Sequence, residues 1–253
     1  MKGNLLLRNF LLITLLTSVT FAGTINLAIA ANVSYAIDDL KKEFNRLYPD
    51  TKVNVTLGGT GKLVAQIKHK APYQILLSAD MGYPQSLYKS GDAITRPLVY
   101  AQGSLVYLSK KEREFSTILE LLKSDTIKRI AVANPKTAPY GKATFEALEK
   151  AGVLEQIKAK FVYAESISQT VTYATKATDI GFIAKSTLFS PKMKRFKEGK
   201  NWADVNATLY TPINQGVVIL KKGEGNAEVS AFYAFLFSKK AKEIFESFGY
   251  VVP

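Results

Sequence analysis

The 253-residue chain has no cysteine, a single histidine, one tryptophan and three methionines. Without cysteine it has no disulfide, no thiolate zinc site and no N-terminal cysteine to carry a lipid. A hydrophobic core must therefore hold the fold, and 47% of the residues are apolar. The one imidazole, His69, lies between Lys68 and Lys70. The flanking lysines make it a poor base, and any metal cluster would have to come from carboxylates alone. Asp38 and Asp39 are adjacent, so on a helix their side chains diverge. Ser78-Ala79-Asp80 lacks the glycine-flanked elbow of a hydrolase nucleophile. No convergent acid–base set emerges, and the expectation is a protein that is not an enzyme.

Long apolar runs are also missing, except at the start. Lys2 and Arg8 precede Phe10-Leu11-Leu12-Ile13-Thr14-Leu15-Leu16, and Thr20-Phe21-Ala22 follows. A basic start, a short apolar core and a small residue describe a cleavable signal peptide over residues 1–22. The stretch is too short and too broken by Thr and Ser for a membrane anchor. Cleavage leaves 231 residues, enough for one large domain or two medium ones. The formal charge of +13 loses Lys2 and Arg8, leaving about +11. The lysines are scattered, as in Lys41-Lys42, Lys110-Lys111 and Lys239-Lys240, with no basic block interleaved with aromatics. That is a solvated basic surface, not a nucleic-acid site.

Apolar strand-like runs alternate with helical patterns. Strands are expected at Ile25-Asn26-Leu27-Ala28-Ile29-Ala30, from Lys52 to Leu57, from Gln74 to Ser78 and from Ser104 to Leu108. Further strands are expected from Arg129 to Ala133, Lys160 to Tyr163, Asp179 to Ala184 and Gly216 to Leu220. Ile37, Leu40, Phe44 and Leu47 mark the inner face of a first helix. Thr170 to Thr175 reads as a short helix, and residues 227–248 as one long helix burying Val229, Phe232, Phe235, Ile244 and Phe248. This order implies an α/β fold whose mixed, mostly parallel sheets are flanked by helices, with ligands at the carboxyl ends of strands.

Four segments at such junctions carry small or hydroxylated residues and no charge at the tip. They are Ala30-Ala31-Asn32-Val33-Ser34, Gly58-Gly59-Thr60-Gly61, Ala138-Pro139-Tyr140-Gly141 and Glu165-Ser166-Ile167-Ser168. A helix N-terminus offers unpaired N–H groups and a partial positive charge, so four of them can cage an anion without lysine or arginine. Asn32 would offer its side-chain NH₂, although an ordinary helix cap explains it as well. Thr60 adds a hydroxyl among exposed glycine amides, including Gly61, although a tight turn explains the glycines. The segment lacks the lysine of a P-loop. Tyr140 is either a surface aromatic or a phenol that donates to or closes over the anion. Ile167 would give only its N–H. A dianion without a proton wants donors alone, whereas a protonated oxyanion gains from a carboxylate acceptor. Three segments lack Asp and Glu, which favours sulfate- or molybdate-like anions over phosphate.

At these residues the chain resembles the periplasmic molybdate-binding proteins of ABC importers, from about Ile25 to Val252. The likeness rests on five motifs in order: Ala30-Ala31-Asn32; Gly58-Gly59-Thr60-Gly61 before Leu63-Val64-Ala65-Gln66-Ile67; Ala71-Pro72 before Ser78-Ala79-Asp80; Asn134-Pro135 with Pro139-Tyr140-Gly141; and Glu243-Ile244-Phe245-Glu246-Ser247-Phe248-Gly249-Tyr250. The resemblance implies a two-lobed, type II "Venus flytrap" fold. Lobe 1 would comprise residues 23–102 plus 211–253 and lobe 2 residues 103–210, with hinges near residues 102–104 and 209–211. It implies molybdate or tungstate as ligand, held by Asn32, Thr60, Gly61, Tyr140 and Ile167. No cofactor and no directly ligated metal cation are implied. It further implies a monomer in the periplasm and a membrane ABC permease as transient partner. Asn32 replaces the serine of many members, Gln74 replaces an aspartate, and Ala184 stands where many carry a tyrosine. Other classes remain open: a receptor for sulfate, phosphate or an organic anion, an exported enzyme, or a basic adhesion protein.

Overall fold

The computed structural model describes residues 23–253, so the signal-peptide segment lies outside the described residues. Two five-stranded sheets form the framework. The first holds β1 (Thr24–Ala30), β2 (Lys52–Gly58), β3 (Ile75–Leu77), β4 (Leu98–Gly103) and β10 (Ile213–Ile219), in the order β2-β1-β3-β10-β4. The second holds β5 (Leu105–Leu108), β6 (Ile130–Ala133), β7 (Phe161–Ala164), β8 (Ile180–Ala184) and β9 (Trp202–Asp204), in the order β7-β6-β8-β5-β9. The chain passes between them across Ser104 and returns between Asp204 and Ile213. Each sheet is mixed. β1 is parallel to β2 and β3, and β6 to β7 and β8, while β10 and β5 run antiparallel to both of their neighbours. The antiparallel share exceeds what the βαβ alternation suggests, because β10 re-enters the first sheet from the other half of the chain.

Both faces of each sheet are covered, which explains why the strands read as near-continuous apolar runs. Ile25, Leu27 and Ile29 on one face of β1 pack with Phe44, Phe232 and Phe245. Ala28 on the other face packs with Leu63 and Leu87. Successive strand residues point to opposite faces, so one strand serves two cores. Phe44, the anchor of α1 (Ile37–Leu47), meets Phe232 edge-on at 5.0 Å and Tyr48 stacked at 4.7 Å. Truncating a buried phenylalanine of this kind costs about 3–5 kcal/mol.

Three local expectations need correction. Leu47 ends α1 but is 64% exposed, because the last turn runs past the core. The long C-terminal helix is two: α8 (Ala227–Phe235) and α9 (Lys239–Ser247). Ser238 restarts it by accepting the Ala241 N–H at 3.2 Å. The break resets the helical phase, so Ala241 and Phe245 are fully buried while Ile244 and Phe248 are only partly so. The helix expected from Thr170 begins at Ile167, as α7 (Ile167–Lys176), because Ser166 accepts the Gln169 N–H at 3.3 Å.

Candidate functional site

Strand register brings the junctions together. Ala30 pairs with Gly58 at the ends of β1 and β2, so the 3-10 turn Ala31–Tyr35 and the start of α2 (Thr60–Lys68) lie side by side. In the other sheet Ala133 pairs with Ala164, which sets the start of α5 (Pro139–Lys150) beside that of α7. The two pairs face each other across a small cavity. Ala30, Ala31, Asn32, Gly58, Gly59, Thr60 and Ala79 line one side; Ala138, Pro139, Tyr140 and Ile167 line the other. None of these residues is charged. Asn32, Thr60, Tyr140 and Ile167 thus meet at one place, as the motif reading requires.

Gly61 does not line this cavity. Its N–H donates to the Thr137 carbonyl at 2.9 Å, so it ties the two halves together instead. More contacts cross the same gap. Ser168 donates to the Ala31 carbonyl at 2.7 Å, Ser186 to the Asn32 carbonyl at 3.1 Å, and Tyr83 to the Lys136 carbonyl at 3.3 Å. Lys62 pairs with Glu165 at 3.4 Å on the exposed rim, which takes that carboxylate out of the cavity. A Cβ on Gly59 would stand 2.8 Å from the Glu165 carbonyl oxygen, and one on Gly61 would stand 3.0 Å from Thr137 Cα. These glycines are what allow the backbones of the two halves to approach.

The donors differ in kind. Thr60 Oγ1 accepts the Ala79 N–H at 3.2 Å, which leaves its own proton to donate. Thr60, Tyr140 and Ile167 lie in the first turns of α2, α5 and α7, where backbone N–H groups have no partner within their own helix. Pro139 opens α5 without an N–H of its own, so the Tyr140 amide is the first available there.

Two side chains have partners that the sequence did not suggest. Asn32 is not a cap, for the turn it occupies is capped by no side chain. Its NH₂ does not face the cavity freely either: Nδ2 donates to Gln215 Oε1 and to the Tyr250 hydroxyl, both at 2.9 Å. The Tyr140 phenol neither closes the cavity nor lies at the surface. It is buried and accepts from Gln215 Nε2 at 3.2 Å. Gly103 makes room for it, since a Cβ there would lie 2.0 Å from the phenol oxygen. Gln215 and Tyr100 had no place in the motif reading, and Tyr250 entered it only as the end of the C-terminal motif, with no part in the site. The signal was faint: one amide side chain just before an apolar strand that reads from Gly216. A β-bulge between Gln215 and Gly216 turns that side chain inward. Burial holds the Tyr100, Tyr140 and Tyr250 hydroxyls far above the ordinary phenol range, so the network stays neutral.

An adjoining cavity is larger, about 290 Å³, and is lined by Asp80, Lys142, Glu146 and Thr211 among others. The Thr211 backbone N–H holds the Glu146 carboxyl at about 2, so it is ionised throughout the neutral range. Burial pushes Asp80 upward, against hydrogen bonds from Tyr83 and Ser78. Two carboxyl groups make this space a poor host for a bare dianion. Among the described residues no cluster of His, Cys, Asp and Glu could hold a metal ion, and no helix is long and apolar enough to cross a membrane.

The family model for bacterial extracellular solute-binding proteins matches residues 25–251. The chain belongs to this solute-binding family. Within the family it is 35% identical to the molybdate-binding protein ModA of Azotobacter vinelandii, over 93% of both chains. It is 34% identical to the ModA of Rhodobacter capsulatus, over 91% of this chain and 89% of that one. The solved structure of the Azotobacter vinelandii periplasmic molybdate-binding protein superposes with a TM-score of 0.83 at 29% identity, covering 90% of this chain and 99% of that one. The solute-binding chain is thus ModA-like in sequence and in its two-lobed fold, and the relatives are binding proteins, not enzymes.

Proposed function

We propose that this protein captures molybdate in the periplasm and delivers it to the permease of an ABC importer, with no chemical step. The observation that carries this reading is the small cavity between the halves, lined by uncharged residues and served by three helix N-termini. Asn32, Thr60, Tyr140 and Ile167 hold the anion, and Gly61 serves closure. The likeness to ModA proteins selects molybdate among the oxyanions such a cage admits; tungstate has the same charge and shape and is bound as well. Residues 23–102 with 211–253 form one lobe and 103–210 the other, and the two act as a monomer exported by the segment 1–22.

The physics is donor-only recognition. A dianion leaving water needs charge-assisted hydrogen bonds, each worth about 1.5–3 kcal/mol. Several of these, after desolvation and closure costs, are compatible with about −8 to −12 kcal/mol, the micromolar to nanomolar range. Neutral donors avoid the salt sensitivity and over-tight holding of a paired lysine, and they release the ligand when the lobes part. Closure makes the loaded shape distinct, so the permease reads occupancy. Sulfate carries the same charge with shorter bonds, so cavity size discriminates against it. Calorimetric titration of the mature chain tests the reading. Molybdate and tungstate are expected to bind at least about 100-fold tighter than sulfate or phosphate, a gap of 2.7 kcal/mol or more. Equal or reversed affinities overturn it.

A further inference from the structure

Behind the cavity, Asn32 and Gln215 are both wholly buried and face each other through their side-chain amides. In the arrangement observed, Gln215 Oε1 accepts from Asn32 Nδ2 at 2.9 Å and from the Tyr100 hydroxyl at 2.8 Å. Gln215 Nε2 donates to the Tyr140 hydroxyl at 3.2 Å. Both Asn32 protons are thereby consumed, and Asn32 Oδ1 is left buried with no partner. An orphaned carbonyl oxygen on a residue that lines an anion cavity is the wrong polarity for the ligand.

A second arrangement of the same side chains removes the conflict. The two ends of a side-chain amide differ little in shape, so a half-turn about the last torsion exchanges donor for acceptor in place. With both amides turned over, Gln215 Nε2 donates to Asn32 Oδ1 and to the Tyr100 hydroxyl. Tyr100 then gives its single proton wholly to the Ser78 carbonyl, 3.2 Å away. Gln215 Oε1 accepts from Tyr140. Tyr250, which now donates to the Asn32 carbonyl at 2.9 Å, donates to Asn32 Oδ1 instead, and Ser186 alone satisfies that carbonyl. Every group is paired except the Asn32 NH₂, which takes the place of the orphaned oxygen and is left for the anion. Neither amide can turn alone, since that sets two acceptors or two donors against each other.

We infer that Gln215 is the positioning residue of the anion site: its amide and that of Asn32 turn over together, so that anion binding converts the Asn32 end facing the cavity from acceptor to donor. The tyrosines Tyr100, Tyr140 and Tyr250 are the hinges of this exchange, because a hydroxyl both gives and takes a hydrogen bond. The inference rests on the oxyanion reading above, and the test separates the two. Molybdate is first titrated calorimetrically into the wild-type mature chain; no binding there defeats the oxyanion reading itself. Given binding, Asn32→Ala, Gln215→Met and the double variant form a cycle. Each single change is expected to weaken molybdate about tenfold, and the double variant about tenfold as well, since Gln215 acts only through Asn32. Wild-type affinity in Gln215→Met, or losses that multiply to about 100-fold, overturn the inference. Should Gln215→Met fail to fold, NMR on the wild type decides. The Gln215 NH₂ is expected to show its stronger NOE to the Tyr140 ring in the free protein and to the Tyr100 ring with molybdate bound. An unchanged pattern overturns the coupled turn-over.

Discussion

The two walls of the cavity are built by different means. On the wall from the first sheet the side chains of Asn32 and Thr60 are each held by partners, Asn32 Nδ2 by Gln215 and Tyr250 and Thr60 Oγ1 by the Ala79 N–H. The wall from the second sheet presents Tyr140 and Ile167 in the first turns of α5 and α7, with the Tyr140 phenol turned away toward Gln215. In the proposed binding mode residue identity is the determinant on the first wall. On the second, the path of the backbone is, and most side chains compatible with that path would serve.

The largest expected effect comes from reversing polarity on the first wall. Asn32→Asp sets a carboxylate against the dianion, and like charges in contact cost several kcal/mol. Molybdate affinity should fall at least about 1000-fold, or 4.1 kcal/mol, by calorimetry. A loss under tenfold would remove Asn32 from the site. Next is a backbone test across the gap. Gly59→Ala places a Cβ 2.8 Å from the Glu165 carbonyl oxygen, so closure is obstructed and affinity drops about 100-fold. Small-angle scattering with molybdate present should show a larger radius of gyration than wild type; an unchanged radius would acquit Gly59.

The comparison between the walls is sharpest in a matched pair. Thr60→Val removes one charge-assisted donor and should cost about tenfold or more, while Ile167→Ala keeps the N–H and should cost less than about twofold. The reverse ranking would break the contrast. The smallest effect concerns Glu146, which joins α5 to the return connection through Thr211 Oγ1 at 2.8 Å. Its carboxyl sits at about 2, below the usual 4.5. The stabilisation is therefore complete above about pH 4.5 and is lost as the pH falls toward 2. Glu146→Gln has no carboxyl to protonate, so its melting temperature should fall less steeply than wild type between pH 5 and pH 3, by under about 4 °C. Parallel slopes would dismiss the contact.

Much of the fold was legible because strand burial is written in composition. Ile25, Leu27 and Ile29 are apolar whatever packs on them, and Gly58-Gly59-Thr60-Gly61 announces a turn with uncovered amides. The C-terminal helix break was not legible, since Leu236, Phe237 and Ser238 continue a plausible helical pattern and only the Ser238 cap ends it. The Gln215 network was hidden for a different reason. Residues 32, 100, 140, 215 and 250 are far apart in the chain, and nothing local to any of them signals the others.

Taken alone, the amino-acid order determined the alternating strands and helices and the small uncharged tips, because these are local properties of side chains. Which amide ends meet, which phenol turns inward and which glycine closes the gap were decided only in three dimensions. Hydrogen-bond polarity and steric contact belong to pairs of atoms, and the chain order does not say which pairs will form.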